Sequence, residues 1–371
     1  MKSNDCTNII AISDILINLL NEKASNKESE EITENDYQEK LNTVLCEFCE
    51  PKRTNNPEKT IKNLDELLLK YGKSPDDYFI ERYVHCLATS CYSQDEIYAQ
   101  NAVNMIKQIL DMPQYSKSIS ILINYIKTIS ALSIKQEPVK AMQTIKNLKA
   151  TVDEADTWEY IDNFYYFCLA LEHLCYKQSK SGDLQGAYET LEIIKSIIRN
   201  IEFDDDDEEC DEEDEDIDYY ILEMVKCYTI ALAALCKNDD VSLLETYNMI
   251  EKIEDLLIKT QNMENDRIAL EYMISLRYLG QKQLKHGQSI TKTIKRARLI
   301  TENNNYGNQD ELIAWYTLLL VDLVNTTSPE DLKSTHKRLS DITSKPHFIN
   351  NEVIHNVFNH VKQHYGNEEI A

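Results

Sequence analysis

Glycine and proline are scarce, with seven of each in 371 residues. So little glycine leaves no material for the Gly-rich loops that cradle phosphates, and few left-handed turns can be built. Long helices joined by short polar loops follow, and the expected fold class is all-α. Positive charge is the second shortage: 39 Lys and Arg stand against 64 Asp and Glu, a formal net charge of -25. Nucleic acid and anionic membranes are bound through clustered cations that displace phosphate counterions, so neither is expected as a direct partner. Tryptophan occurs only twice, too seldom to line a pocket that steadies a cation on aromatic faces. Apolar runs are short as well. None reads as long enough to span a bilayer. The N-terminal apolar stretch is interrupted by Ser13, Asp14 and Asn18, unlike the continuous core of a signal peptide.

What is abundant is carboxylate, and it is concentrated. Residues 202–218 hold Glu202, Asp204, Asp205, Asp206, Asp207, Glu208, Glu209, Asp211, Glu212, Glu213, Asp214, Glu215, Asp216 and Asp218. These fourteen charges lower the net charge of the rest of the chain to only -11. The run has no apolar period and cannot bury enough surface to offset the entropy of ordering itself. It is expected to be a solvated loop whose charge attracts a Lys/Arg-rich protein. The ten cysteines include Cys86, Cys168, Cys175, Cys227 and Cys236 at apolar helical positions, where a free thiol packs as a small hydrophobe. A reducing intracellular compartment, cytoplasm or nucleus, is the corresponding expectation.

Along the chain, residues 1–22 read as an amphipathic helix and residues 23–35 as a polar linker. Residues 36–343 read as a helical array interrupted by the acidic loop 202–218, and residues 344–371 as a terminal helix and tail. Within the array one spacing recurs: a residue, then apolar ones four and seven positions on. Ala102, Ile106 and Ile109 show it, as do Ala141, Ile145 and Leu148, and Ala187, Leu191 and Ile194. It returns less purely at Thr246, Ile250 and Ile253, at Ile290, Ile294 and Ala297, and at Leu332, His336 and Leu339. The intervals are 39, 46, 59, 44 and 42 residues. Removing about fifteen residues of acidic loop brings the outlier to about 44, a period proper to stacked helix pairs. Stacked helices need a small residue where they approach closely and larger ones a turn further on. A second amphipathic helix precedes each stripe, spanning 78–88, 119–134, 158–177, 219–235, 267–284 and 312–324.

The stretch Leu171 to Ile198 resembles one tetratricopeptide repeat, through Leu174-Cys175, turn residue Gly182, Leu184, Ala187, Leu191 and Ile194. Leu279-Gly280 and Gly287 are similar to the first half of another, which departs at Lys292, where the family has alanine. Ala102, Ile106, Ile109 and Pro113 resemble the second helix and closing proline of a third. The resemblance covers residues 76–343 and implies an α-solenoid of antiparallel helix pairs. It further implies a right-handed superhelix whose concave face binds an extended peptide or a partner helix.

Candidate chemistry is thin. Cys46-x-x-Cys49 has metal spacing, but Leu41, Leu45 and Phe48 mark an apolar helix face and no second ligand pair is near. His360 and His364 sit one turn apart, with His355 before them, and again lack completing ligands. Asp76-Asp77-Tyr78-Phe79-Ile80-Glu81 and the stretch Asn238 to Glu245 resemble the two magnesium-diphosphate motifs of all-α isoprenoid cyclases. The second is out of register, with Thr246 where the family has glutamate. No catalytic residue, cofactor or metal is therefore expected. The candidate partner-binding residues are Asp204, Asp205, Asp206, Asp207, Glu208, Glu209, Asp211, Glu212, Glu213 and Asp214 of the acidic run. Tyr160 and Tyr165 join them from an aromatic-rich helix, as does a basic face of Lys292, Lys295 and Arg296 that follows Lys282 and Lys285. The expected function is a non-catalytic interaction adaptor or assembly chaperone for a basic protein. The alternatives are a structural subunit of a larger assembly and, in another class, a magnesium-dependent isoprenoid enzyme.

Overall fold

The computed structural model describes residues 77–155, 160–201, 214–260, 265–302 and 309–324, with scattered positions between 337 and 359. The described residues are helical, and no strand occurs among them. Eleven helices are described. They are α1 (Asp77–Ser90), α2 (Glu96–Leu110), α3 (Ile119–Lys135), α4 (Pro138–Ala155), α5 (Ile161–Ser181), α6 (Leu184–Ile201), α7 (Asp214–Cys236), α8 (Leu243–Lys259), α9 (Asp266–Lys285), α10 (Thr291–Thr301) and α11 (Asp310–Val324). The chain forms two compact units, residues 1–170 and 171–371, with the boundary inside α5.

Short polar side chains start several of these helices, because the first N–H groups of a helix have no intrahelical acceptor. Asp95 accepts from the Tyr98 N–H and Ser118 from that of Ile121. Ser242 and Glu245 form a reciprocal capping box at α8. Pro138 opens α4, where a missing N–H costs nothing.

In the first unit α1 packs on α2 and α3, α2 on α3, and α3 on α4. The Ser118 hydroxyl reaches Glu81 at the starts of α3 and α1, and Lys135 donates to the Tyr92 carbonyl just past α1, so α1 and α3 run parallel. In the second unit α6 packs on α7, α7 on α8 and α9, α8 on α9, α9 on α10 and α11, and α10 on α11. Each unit therefore contains helices that touch both the next helix and the next but one.

The recurring stripe faces the core. Ala102, Ile106, Ile109, Ala141, Ile145, Leu148, Ala187, Leu191, Ile194, Thr246, Ile250 and Ile253 are all buried. The fifth stripe is corrected: Ile290 precedes α10, Ile294 is only half-buried, and the buried positions are Ile290, Thr293, Ala297 and Ile300. The sixth, at Leu332, His336 and Leu339, lies outside the described residues. A second correction concerns the acidic run, since α7 begins at Asp214 rather than near Tyr219. Residues 214–218 are thus the first turns of a helix, an end where carboxylates oppose the dipole favourably. A third concerns apolar length. Tyr219–Cys236 is long and apolar enough to cross a membrane by composition, yet two thirds of it, 67%, is buried. It is the core helix of the second unit, covered by α6, α8 and α9.

A feature unseen in the sequence ties the pairs together. At or near the C-terminal ends of α3, α5 and α9 stands a buried glutamine whose side-chain oxygen accepts from a threonine hydroxyl on the following helix. The pairs are Gln136–Thr144 at 2.6 Å, Gln178–Thr190 at 2.8 Å and Gln283–Thr293 at 2.6 Å. In two of them the same glutamine also closes the corner through its backbone. The Gln178 carbonyl accepts the Asp183 N–H at 2.9 Å and that of Gln283 accepts the Gln288 N–H at 2.8 Å, across glycines with φ +84° (Gly182) and +66° (Gly287). This is the six-to-one closure of a helix C-terminus around a left-handed residue.

A Cβ added at Gly182 meets no atom within 4 Å, so its cost is conformational alone. Gly182→Ala is expected to lower unfolding free energy by about 1 kcal/mol, and Gly182→Asn by less, in urea titrations. Thr190→Val leaves a buried acceptor on Gln178 without its donor and is expected to cost about 1–3 kcal/mol. The Gln178→Leu/Thr190→Val double variant should cost less than the two single changes together.

Candidate functional site

The sequence-predicted site residues are not gathered into one place. Asp204, Asp205, Asp206, Asp207, Glu208, Glu209, Asp211, Glu212 and Glu213 lie outside the described residues, and Asp214 opens α7. Tyr160 and Tyr165 are half-buried in the first unit. The Tyr165 ring lies 5.2 Å from that of Tyr166, tilted by 52°. Both tyrosines hold further contacts, so they serve packing at least in part.

The basic face on α10 is partly engaged by acidic neighbours. Lys292 and Lys295 are exposed, but Arg296 is half-buried beside Glu254 at 3.7 Å. Arg298 is paired with Glu302, and Lys285 with Asp239 at 2.8 Å. Lys282 is buried. Its ammonium donates to the Val241 carbonyl and to the Thr246 hydroxyl, both at 2.9 Å, and burial pulls its pKa down. It is a bolt between α9 and the start of α8. Of the six cations Lys282, Lys285, Lys292, Lys295, Arg296 and Arg298, one is buried, one half-buried and four exposed, two of the exposed ones in ion pairs; the aliphatic stem of Lys282 is as able to cross a core as to enter solvent.

The residues that resemble a diphosphate motif have structural work. Asn238 donates to the Ser179 carbonyl at 2.5 Å and accepts the Asp240 N–H at 2.8 Å, while Ser242 and Glu245 cap α8. Asp77 begins α1 and Asp76 lies outside the described residues. Cys46, Cys49, His360 and His364 are outside them too, and His355 is half-buried. Among the described residues no group of three or more His, Cys, Asp and Glu is placed to hold a metal ion.

The second unit contains a charged cluster that sequence reasoning missed. Glu271 on α9 is almost fully buried and is met by Arg267 at 2.7 Å and Lys237 at 3.4 Å. Glu172 on α5 is buried within electrostatic range of the same three groups. Burial, and then the Glu271 charge, push the Glu172 carboxyl up to about 8, with Arg267 and Lys237 opposing. Four residues between positions 172 and 271 thus meet because α5, α7 and α9 lie side by side, bonded as Ser179 hydroxyl to Ala234 carbonyl at 3.0 Å and packed as α7 on α9. Their only sequence signal was a charge at an otherwise apolar position of a first-of-pair helix.

In the first unit a cavity of about 580 Å³ opens between the ends of α2 and α4 and the start of α3. Lys107, Lys117, Asp111, Glu154 and Tyr125 line it, a balanced set that selects no ligand charge. No family model matches the chain, and no curated protein matches it.

The sign of the Glu172 effect is definite. Its folded pKa lies above the unfolded carboxylate range, so the contribution is full below about pH 4.5 and is lost as pH rises toward about 8. In urea titrations the slope from this group is at most about 1.4 kcal/mol per pH unit within that window. Glu172→Gln is expected to flatten the profile between pH 5 and pH 8 and to make the protein more stable than the parent at pH 8.

Proposed function

We propose that the chain is a tetratricopeptide-like interaction protein, a non-catalytic adaptor or assembly chaperone that works inside the cell and receives a Lys/Arg-rich protein. Within each unit the helices are read as stacked antiparallel pairs of an α-solenoid, with the first helices of the pairs forming the recognition face. Support for the repeat comes from the corner described above: a turn glycine and a buried Gln–Thr bond recur at Gly182 and Gly287, in two pairs. The partner reading is carried by the acidic run 202–218, which follows α6 and ends in the first turns of α7 and concentrates fourteen carboxylates in seventeen residues. Such a charge density speeds encounter with a basic partner and contributes more to rate and salt sensitivity than to close contacts.

A second reading, a structural subunit of a larger assembly, is favoured by one observation. The second residue of three second-of-pair helices is an exposed aliphatic: Ile97 of α2 at 59%, Val139 of α4 at 88% and Leu244 of α8 at 70%. Isolated apolar side chains on a surface are ordinary, so this reading ranks behind the first.

Deleting residues 203–213, which leaves α7 whole, separates the two. An adaptor for a basic protein is expected to lose at least about tenfold in association rate with a Lys/Arg-rich peptide at low salt, and most of its salt dependence, in stopped-flow fluorescence. Unchanged rate and salt dependence would sink the role assigned to the run.

A further inference from the structure

The four charges that meet in the second unit are unevenly paired. Arg267 and Lys237 both go to Glu271, one cation to each of its carboxylate oxygens, at 2.7 and 3.4 Å. Glu172 is only 6% exposed, and among the described residues it has no hydrogen bond or ion pair of its own. The groups that face it are Glu271 and Arg267 from α9, Lys237 from just past α7 and, one turn along α5, the Cys175 thiol. Two carboxylates are thus shut in together while the cations serve one of them. An enclosed acid without a partner keeps its proton, because the bare charge would lose its water with no bond to replace it.

The α5 side of the cluster is also the more weakly fastened. α9 is bolted by Lys282 to the Val241 carbonyl and the Thr246 hydroxyl, and by Arg277 to Asp322 at 2.8 Å. The bonds from α5 to the α7 segment gather at Ser179, two turns beyond Glu172. Its hydroxyl donates to the Ala234 carbonyl at 3.0 Å and its carbonyl accepts from Asn238 at 2.5 Å. Between Glu172 and Ser179 lies Cys175, buried against the carbonyls of Ala187 on α6 at 3.4 Å and Ala231 on α7 at 3.9 Å.

We propose that Glu172 is a proton-operated latch on α5: with its proton α5 is closed onto α7, and without it α5 parts locally while the rest of the second unit stays folded. The sign follows from the proton count. Closed, Glu172 holds its proton up to about pH 8; parted and wetted, it returns to the carboxylate range near 4.5. Opening releases a proton, so between those limits the open fraction rises by up to about tenfold per pH unit, and it levels off above about pH 8.

The experiment uses the full chain in native buffer at pH 6, 7, 8 and 9, pulsed with N-ethylmaleimide, with modification at Cys175 and Cys236 read separately by peptide mass spectrometry. Each rate is divided by that of glutathione at the same pH, which removes the ordinary dependence on thiolate. The corrected Cys175 rate is expected to rise at least about tenfold from pH 6 to pH 8 and to flatten by pH 9. Cys236, at the end of α7, should react more slowly at every pH. Urea at about 1 M should speed Cys236 and leave Cys175 unchanged, because a local opening exposes little new surface. Glu172→Gln, whose amide cannot ionise, should hold the corrected Cys175 rate at or below its pH 6 value throughout. The latch is overturned if Cys175 is never modified, if its rate follows that of Cys236 in pH and urea alike, which marks unfolding of the whole unit, or if its pH dependence survives Glu172→Gln. The urea comparison is made on the unaltered chain, so the test stands whether or not the variant folds.

Discussion

The bond that most of the described architecture leans on is that between a buried glutamine and a threonine on the next helix. A helix pair has to turn through half a circle in a few residues and then hold a fixed register, and apolar packing alone is tolerant of sliding. A buried amide is not tolerant, because an acceptor shut away from water without its donor forfeits free energy. Gln178 and Gln283 each do two jobs at once. The carbonyl stops one helix and the side chain fastens the next, so the angle of the corner and the depth of the second helix are set by one residue. Lys282 plays a related part between pairs, anchoring α9 to the Val241 carbonyl and the Thr246 hydroxyl.

Much of the helical layout was legible in the residues. The spans expected for the first-of-pair helices, such as 119–134 and 267–284, fall within a residue or so of Ile119–Lys135 and Asp266–Lys285. Apolar period and caps are local signals, and they sufficed there. The start of α7 was placed five residues late because a carboxylate run looks unable to fold. Next to a long apolar helix, however, its last residues sit at the end of the dipole that favours them. Ile294 was assigned to the core and is only half-buried, since the four-and-seven spacing alone does not distinguish it from Thr293 or Ile300.

The candidate sites were less legible, for a physical reason. Lys282, Lys285, Lys292, Lys295, Arg296 and Arg298 are neighbours in sequence, but a helix turns its residues through every direction. Lys282 is buried, Arg296 is half-buried beside Glu254, Lys285 and Arg298 are exposed but paired, and Lys292 and Lys295 are exposed outside these pairs. The converse holds for Glu172, Lys237, Arg267 and Glu271, far apart in the chain and near in space. Contacts in such a fold run across helices, whereas a sequence is read along them.

The thiols give the helix pairs a chemical transcript of their own. Cys91 and Cys168 in the first unit, and Cys175, Cys227 and Cys236 in the second, are buried and unbridged. Burial pushes Cys91, Cys175 and Cys236 up to about 12. A thiol so protonated and enclosed is inert toward alkylation and oxidation until its surroundings part. Cys175 sits against the carbonyls of Ala187 and Ala231, on α6 and α7. Labelling there keeps time for the separation of those helices, and labelling at Cys91 does so for a different part of the chain. Each of the two units thus carries clocks of its own, wound by the same burial that holds it shut.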